Sequence, residues 1–109
     1  MVSKDEFDQE VQNIVKQLLH LYRPQKVVLF GSLVKGEVGP GTDIDLFIVK
    51  SDVPELGVDR IRELDALVAY RLATDFVVYT PEEVKQRLSL GDPFVKNILE
   101  EGRVLYDAA

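Results

Sequence analysis

Apolar residues recur at Phe7, Val11, Ile14, Val15, Leu18, Leu21 and Tyr22, the three-and-four spacing of an amphipathic helix. Ser3 and Glu6 form a capping box at its start, and Pro24 stops it. The period then changes. Lys26 to Phe30 is short, apolar and rich in β-branched residues, which predicts a buried strand. Gly31-Ser32 follows, then a short helical turn through Leu33 and Val34, and a loop from Gly36 to Thr42 marked by its glycines and proline. Asp43 to Lys50 reads as a second strand. Pro54 opens a helix with apolar positions at Leu56, Ile61, Leu64, Leu67, Val68 and Leu72, and Thr74 to Tyr79 is a third strand. Thr80-Pro81-Glu82-Glu83 is a second capping box, with proline at the first helical position, and its helix runs to about Leu90. Asp92-Pro93 restarts a helix that Gly102 closes, and Arg103 to Tyr106 makes a last edge strand. This order predicts an α/β (α+β) fold: a mixed β-sheet of about four strands flanked by helices.

Composition narrows the class. At 109 residues the chain is read as a single domain spanning 1–109, with an ordinary globular balance of 46% hydrophobic and 29% charged residues. A net charge of −6 argues against extended binding to a nucleic-acid backbone, but not against one nucleotide held through a metal. Without cysteine there is no disulfide framework and no thiolate chemistry. No apolar run approaches a membrane span, and the opening Met1-Val2-Ser3-Lys4-Asp5-Glu6 is unlike a signal peptide, so a cytoplasmic location is expected.

The chemistry gathers between residues 29 and 50. Gly31 lets a backbone come close to a ligand, and Ser32 adds a hydroxyl beside free N–H groups. Asp43 and Asp45 stand at i and i+2, which in a strand places both carboxylates on one face. Acidic residues are depleted in strands, and two side by side repel. A divalent cation is the usual compensation, and Mg²⁺ takes oxygen ligands that include substrate phosphates. A Gly-Ser turn beside an Asp pair is thus a site for phosphoryl or nucleotidyl transfer. The bland alternative is a strand end whose acids face water or pair with Lys35 or Arg103. Asp75 opens an otherwise apolar strand and can join the other two acids if that strand neighbours theirs.

These residues resemble a known family. Gly31-Ser32, the loop, Thr42-Asp43-Ile44-Asp45-Leu46 and Asp75-Phe76-Val77-Val78-Tyr79 are similar to the polymerase-beta-type nucleotidyltransferase superfamily, and within it to the minimal nucleotidyltransferases. The resemblance covers Val11 to Tyr106. It implies the nucleotidyltransferase fold and a two-metal Mg²⁺ site held by Asp43, Asp45 and Asp75, with Asp75 serving the nucleophile. It implies ATP as substrate, with Gly31, Ser32 and Lys35 on its phosphates. The family's turn commonly reads Arg-x-Arg-Gly, where this chain has Leu33-Val34-Lys35-Gly36. Lysine keeps a charge but not the bidentate fork of arginine.

Three functions follow from the resemblance and the small size. The first is a Mg²⁺-dependent transfer of AMP from ATP to a partner protein, a small helical HEPN-type toxin. The second is a non-catalytic antitoxin that neutralises such a toxin by complex formation. The third is a small-molecule nucleotidyltransferase whose acceptor site needs a second copy, a homo-oligomer. Other residues are read as structural. His20 has no partners for a metal or nucleophile set, and Asp65 is a solvated helix position. Tyr70, Tyr79 and Tyr106 are aromatic packing before they are base-stacking groups, and Thr42 is a candidate hydrogen-bonder of its loop.

Overall fold

The computed structural model describes residues 1–108. The elements are α1 (Lys4–Gln17), β1 (Lys26–Phe30), β2 (Ile44–Val49), α2 (Gly57–Leu67), β3 (Thr74–Tyr79), α3 (Pro81–Ser89), α4 (Pro93–Glu101) and β4 (Arg103–Asp107). Both capping boxes form. The Ser3 hydroxyl accepts from Glu6 N–H and the Thr80 hydroxyl from Glu83 N–H, each at 3.1 Å, and both glutamates reach back to the cap. Asp92 caps α4, accepting from Phe94 and Val95 N–H.

The sheet runs β3-β2-β1-β4. β1 is antiparallel to both β2 and β4, whereas β2 and β3 are parallel. The parallel pair needs a crossover, and α2 supplies it. Alternation along each strand divides the core in two. Val27, Leu29, Ile44, Leu46, Ile48, Phe76 and Val78 pack with α1 and α2, through Phe7, Val11, Ile14 and Leu64. Val28, Phe47 and Val49 face the opposite way, onto Val95 and Ile98 of α4 and Val84 of α3.

Five details differ from the sequence-based expectation. The first helix is not uniform: Leu18–Tyr22 is a π-helical turn, closed by an Arg23 N–H to Leu18 O bond of 2.8 Å with Arg23 in the left-handed region (φ 58°). Such wide turns belong at helix C-termini, and this one buries both Leu18 and Tyr22. Pro54 does not open α2; it lies in the preceding loop, and Leu56 is the cap, with no side-chain bond. Leu56 and Leu67 are exposed, while Val68 joins the core beyond the helix end. The segment after Ser32 is a pair of overlapping turns, Lys35 N–H to Ser32 O and Gly36 N–H to Leu33 O, both 3.1 Å, rather than a helix. β2 begins at Ile44, one residue after Asp43.

Two buried polar residues tie the elements together. Glu10, on α1 and 2% exposed, accepts from the backbone N–H of Arg71 and of Leu72, the latter at 3.0 Å. Its other oxygen accepts from the Asn13 amide at 3.3 Å. Burial acts to raise the Glu10 carboxyl, but these donors outweigh it and hold the group below its ordinary range. Arg60, on α2 and 6% exposed, donates to Pro54 O (2.6 Å), Val78 O (3.0 Å) and Glu55 O (3.3 Å), and grips both oxygens of Glu83 at 2.6 and 3.2 Å. Arg60 thereby joins the crossover, β3 and the start of α3. The Arg60 hydrogen bond is the main cause holding the Glu83 carboxyl low.

Candidate active site

The sheet register assembles the acids. Asp45 is the partner of Asp75 in the parallel β2–β3 ladder and of Phe30 in the antiparallel β1–β2 ladder. Adjacent strands lie about 4.8 Å apart, so the Phe30–Asp45–Asp75 row crosses three strands on one level. Asp45 shares its face with Phe47 and Val49, the face covered lower down by α3 and α4. Asp43 precedes β2 by one residue and is half-buried. Asp75 is exposed.

Asp45 feels the other two carboxylates. Burial first, and then the charges of Asp75 and Asp43, push the Asp45 carboxyl above its ordinary value. None of the three makes an ion pair among the described residues, so neither Lys35 nor Arg103 neutralises them. Among the described residues no group of three or more His, Cys, Asp or Glu is drawn together as a ready metal cage. Mg²⁺ in nucleotide sites is held by one or two carboxylates together with phosphates and waters. The donor set is all hard oxygen, and its unrelieved mutual repulsion fits such an ion.

Gly31 is fixed by this arrangement. Its φ of 81° lies in the left-handed region, and a Cβ there would fall on Oδ2 of Asp45 and 3.3 Å from its Cγ. The chain turns out of β1 directly over the Asp45 carboxylate. Ser32, Leu33 and Val34 N–H groups donate to no backbone acceptor among the described residues. Because the segment is a turn and not a helix, these N–H groups offer hydrogen bonds without a helix dipole behind them. Leu33 is 5% exposed and packs in the core, so the side chain at the family's first arginine position points inward. Lys35 is exposed and without an ion pair among the described residues. Thr42 closes the loop by accepting from Gly39 N–H at 2.9 Å.

The remaining residues stand as structural. Asp65 is exposed and accepts from Tyr70 O–H at 3.1 Å. Tyr70 packs edge-on against Phe76 at 6.0 Å, and Tyr79 against Phe47 at 5.5 Å. His20 is exposed on the π-turn. Sequence reasoning missed Glu10, whose hold on Arg71 and Leu72 sets the lead-in to β3 and hence to Asp75. Its one signal was a carboxylate among the apolar positions of α1. Also missed was a cleft of about 160 Å³ beside Gly31, walled by Phe30, Lys35 and residues of α4.

Comparison with known proteins bears on the family and the fold. The model of the nucleotidyltransferase domain family matches residues 10–106. A protein of Methanocaldococcus jannaschii called a "putative protein adenylyltransferase" is 31% identical over 101 residues, covering 91% of this chain and 97% of that one. In structure, the chain is similar to a "putative nucleotidyltransferase" from Sulfolobus solfataricus, with a TM-score of 0.66 at 19% identity over 95% of this chain and 83% of the other. At that identity the likeness speaks for the fold. The acids in register on β2 and β3, the glycine turn above them and the family match over residues 10–106 lead to one statement: this chain belongs to the nucleotidyltransferase domain family.

Proposed function

We propose that the protein transfers AMP from ATP to a hydroxyl of a partner protein, in a Mg²⁺-dependent reaction centred on Asp43, Asp45 and Asp75. The observation that carries this reading is the Asp45–Asp75 register pair directly beneath Gly31. The name of the Methanocaldococcus jannaschii relative, 31% identical, points the same way for the donor and the class of acceptor.

In this reading the turn N–H groups, the Ser32 hydroxyl and Lys35 hold the β- and γ-phosphates. Asp43 and Asp45 would hold the ions, and a bound Mg²⁺ pair supplies charge neutralisation at the attacking and leaving oxygens. Asp75, exposed at the outer strand, orients the acceptor hydroxyl and takes its proton. The acceptor oxygen forms a bond to the α-phosphorus, the α–β bridging P–O bond breaks, and pyrophosphate departs. Proton transfer and positioning are most of what the protein contributes.

The partner we propose is a small helical HEPN-type toxin, with AMP placed on its tyrosine. The −6 charge suits a basic nuclease surface. A second reading, neutralisation by complex formation alone, is favoured by the inward Leu33, which leaves Lys35 as the cation lining the cleft beside Gly31. Incubating the protein with such a partner, ATP and Mg²⁺ and weighing the partner separates the two. A gain of one or more AMP units that Asp45→Asn abolishes establishes transfer. Neutralisation without any mass change, equal in the variant, overturns it in favour of occlusion.

A further inference from the structure

The cleft beside Gly31 is left over once the carboxylates and the phosphate turn have roles. Gly31 belongs to both: the Asp45 carboxylate lies against it, and it lines the cleft. Phe30, the register partner of Asp45, lines the cleft as well. The row Phe30–Asp45–Asp75 therefore has the cleft at one end and the exposed Asp75 at the other.

The far wall is one face of α4. Phe94, Asn97 and Glu101 follow at three- and four-residue intervals, so they stand one above another on the helix. The helix is held close to β1 at this end. A Cβ on Gly102 would lie 2.5 Å from Val28 Cγ1 and 3.0 Å from Leu29 O, so a glycine is needed for this close approach. Phe94 is 46% exposed, an unusual state for phenylalanine, and meets Phe30 edge-on at 5.8 Å and 89°. Its ring is fixed in place while part of its surface stays open. The Asn97 amide and the Glu101 carboxylate make no hydrogen bond or ion pair among the described residues.

We propose that this cleft is the nucleobase subsite, an inference that rests on the nucleotide-transfer reading above. A triphosphate curled over the Gly31–Ser32 turn leaves its base beside that turn. The open face of Phe94 stacks on the ring, as aromatic side chains do with bases. The Asn97 amide carries a donor and an acceptor side by side, the complement of the adenine amine and its neighbouring ring nitrogen. Glu101 accepts the second amine hydrogen. The base thus rests on α4, at the opposite end of the carboxylate row from the acceptor.

The test is calorimetric titration of the full chain, in Mg²⁺, with ATP and inorganic tripolyphosphate. The wild type should bind ATP tighter than tripolyphosphate. Phe94→Ala and Asn97→Leu, both at exposed positions, should each weaken ATP about tenfold and leave tripolyphosphate unchanged. ATP affinity unchanged in both variants, or wild-type ATP binding no tighter than tripolyphosphate, overturns the base subsite and leaves the transfer reading standing. A wild type that binds neither ATP nor tripolyphosphate overturns the transfer reading itself, and the subsite with it.

Discussion

Gly31 and Asp45 share one space: the position a side chain would take on Gly31 is filled by the Asp45 carboxylate. Two independent obstacles therefore oppose any substitution of the glycine, the steric overlap and the left-handed backbone at φ 81°. Gly31→Ala is expected to cost about 1–3 kcal/mol of stability, the scale of a strained backbone position, and to displace Asp45. Urea unfolding gives the first number. Nucleotidyl transfer should fall with it, and a variant of normal stability and activity would mean that the turn and the acid are not in contact.

Asp45→Asn removes a charge that the native state disfavours. The Asp45 carboxyl is raised by burial and by Asp75 and Asp43, so folding favours its protonated form. The sign follows: in the wild type this group detracts from stability once pH rises through its raised folded pKa, and the penalty vanishes below the ordinary carboxylate range. The variant should be more stable than wild type at pH 7 and lose that advantage as the pH falls to about 4. Transfer should drop at least a hundredfold, roughly the scale of removing one preorganised charge-stabilising group. Unfolding midpoints at the two pH values and a labelled-ATP assay read the two effects separately.

Glu10→Ala should be among the most damaging changes outside the site. It leaves the N–H groups of Arg71 and Leu72 without their acceptor, and each unsatisfied buried donor costs about 1–3 kcal/mol. Glu10→Gln keeps one acceptor and should cost less. Because the folded carboxyl is held low, its stabilisation is fully present at neutral pH and is lost as pH falls below the ordinary value of 4.5 through the lower folded one. The acid limb of the wild-type stability curve should therefore be flatter in Glu10→Gln. Identical acid limbs would show that the clasp is energetically neutral.

Lys35→Ala tests whether the exposed lysine stands in for the family's arginine. One charge-assisted hydrogen bond is worth roughly 1.5–3 kcal/mol, so nucleotide affinity should fall about ten- to hundredfold. Lys35→Arg should restore it. Affinity indifferent to both changes would return Lys35 to the role of a solvated loop residue.

Strands β1 and β3, the two capping boxes and the Asp92-Pro93 helix start were legible in the sequence because their signals are local. Each is carried by residues within five positions of one another. Asp43 and Asp45 were legible for the same reason. The meeting of Asp45 with Asp75 was not, because it depends on a parallel pairing between strands that a helix separates. Pro54 misled because proline marks helix starts and loops alike, and the loop prevailed where its carbonyl could receive Arg60. Glu10 and Arg60 were hidden for another reason. A charged residue on a helix reads as solvated unless its partners are visible, and these partners are backbone groups and one distant carboxylate. Glu10 finds Arg71 and Leu72 at separations of 61 and 62 residues, and Arg60 finds Glu83 at 23. The cleft was invisible because Phe94 and Asn97 gain meaning only when α4 is laid beside Gly31.

The grip of Arg60 on Glu83 also orders events during synthesis. A nascent chain that ends before residue 83 already contains α2 and β3, and so the guanidinium and three of its carbonyl acceptors, but not the carboxylate that neutralises it. Burying that cation unpaired is strongly unfavourable. The clasp that ties α2 and the Asp75 strand to the start of α3 is therefore complete only once Glu83 is in place.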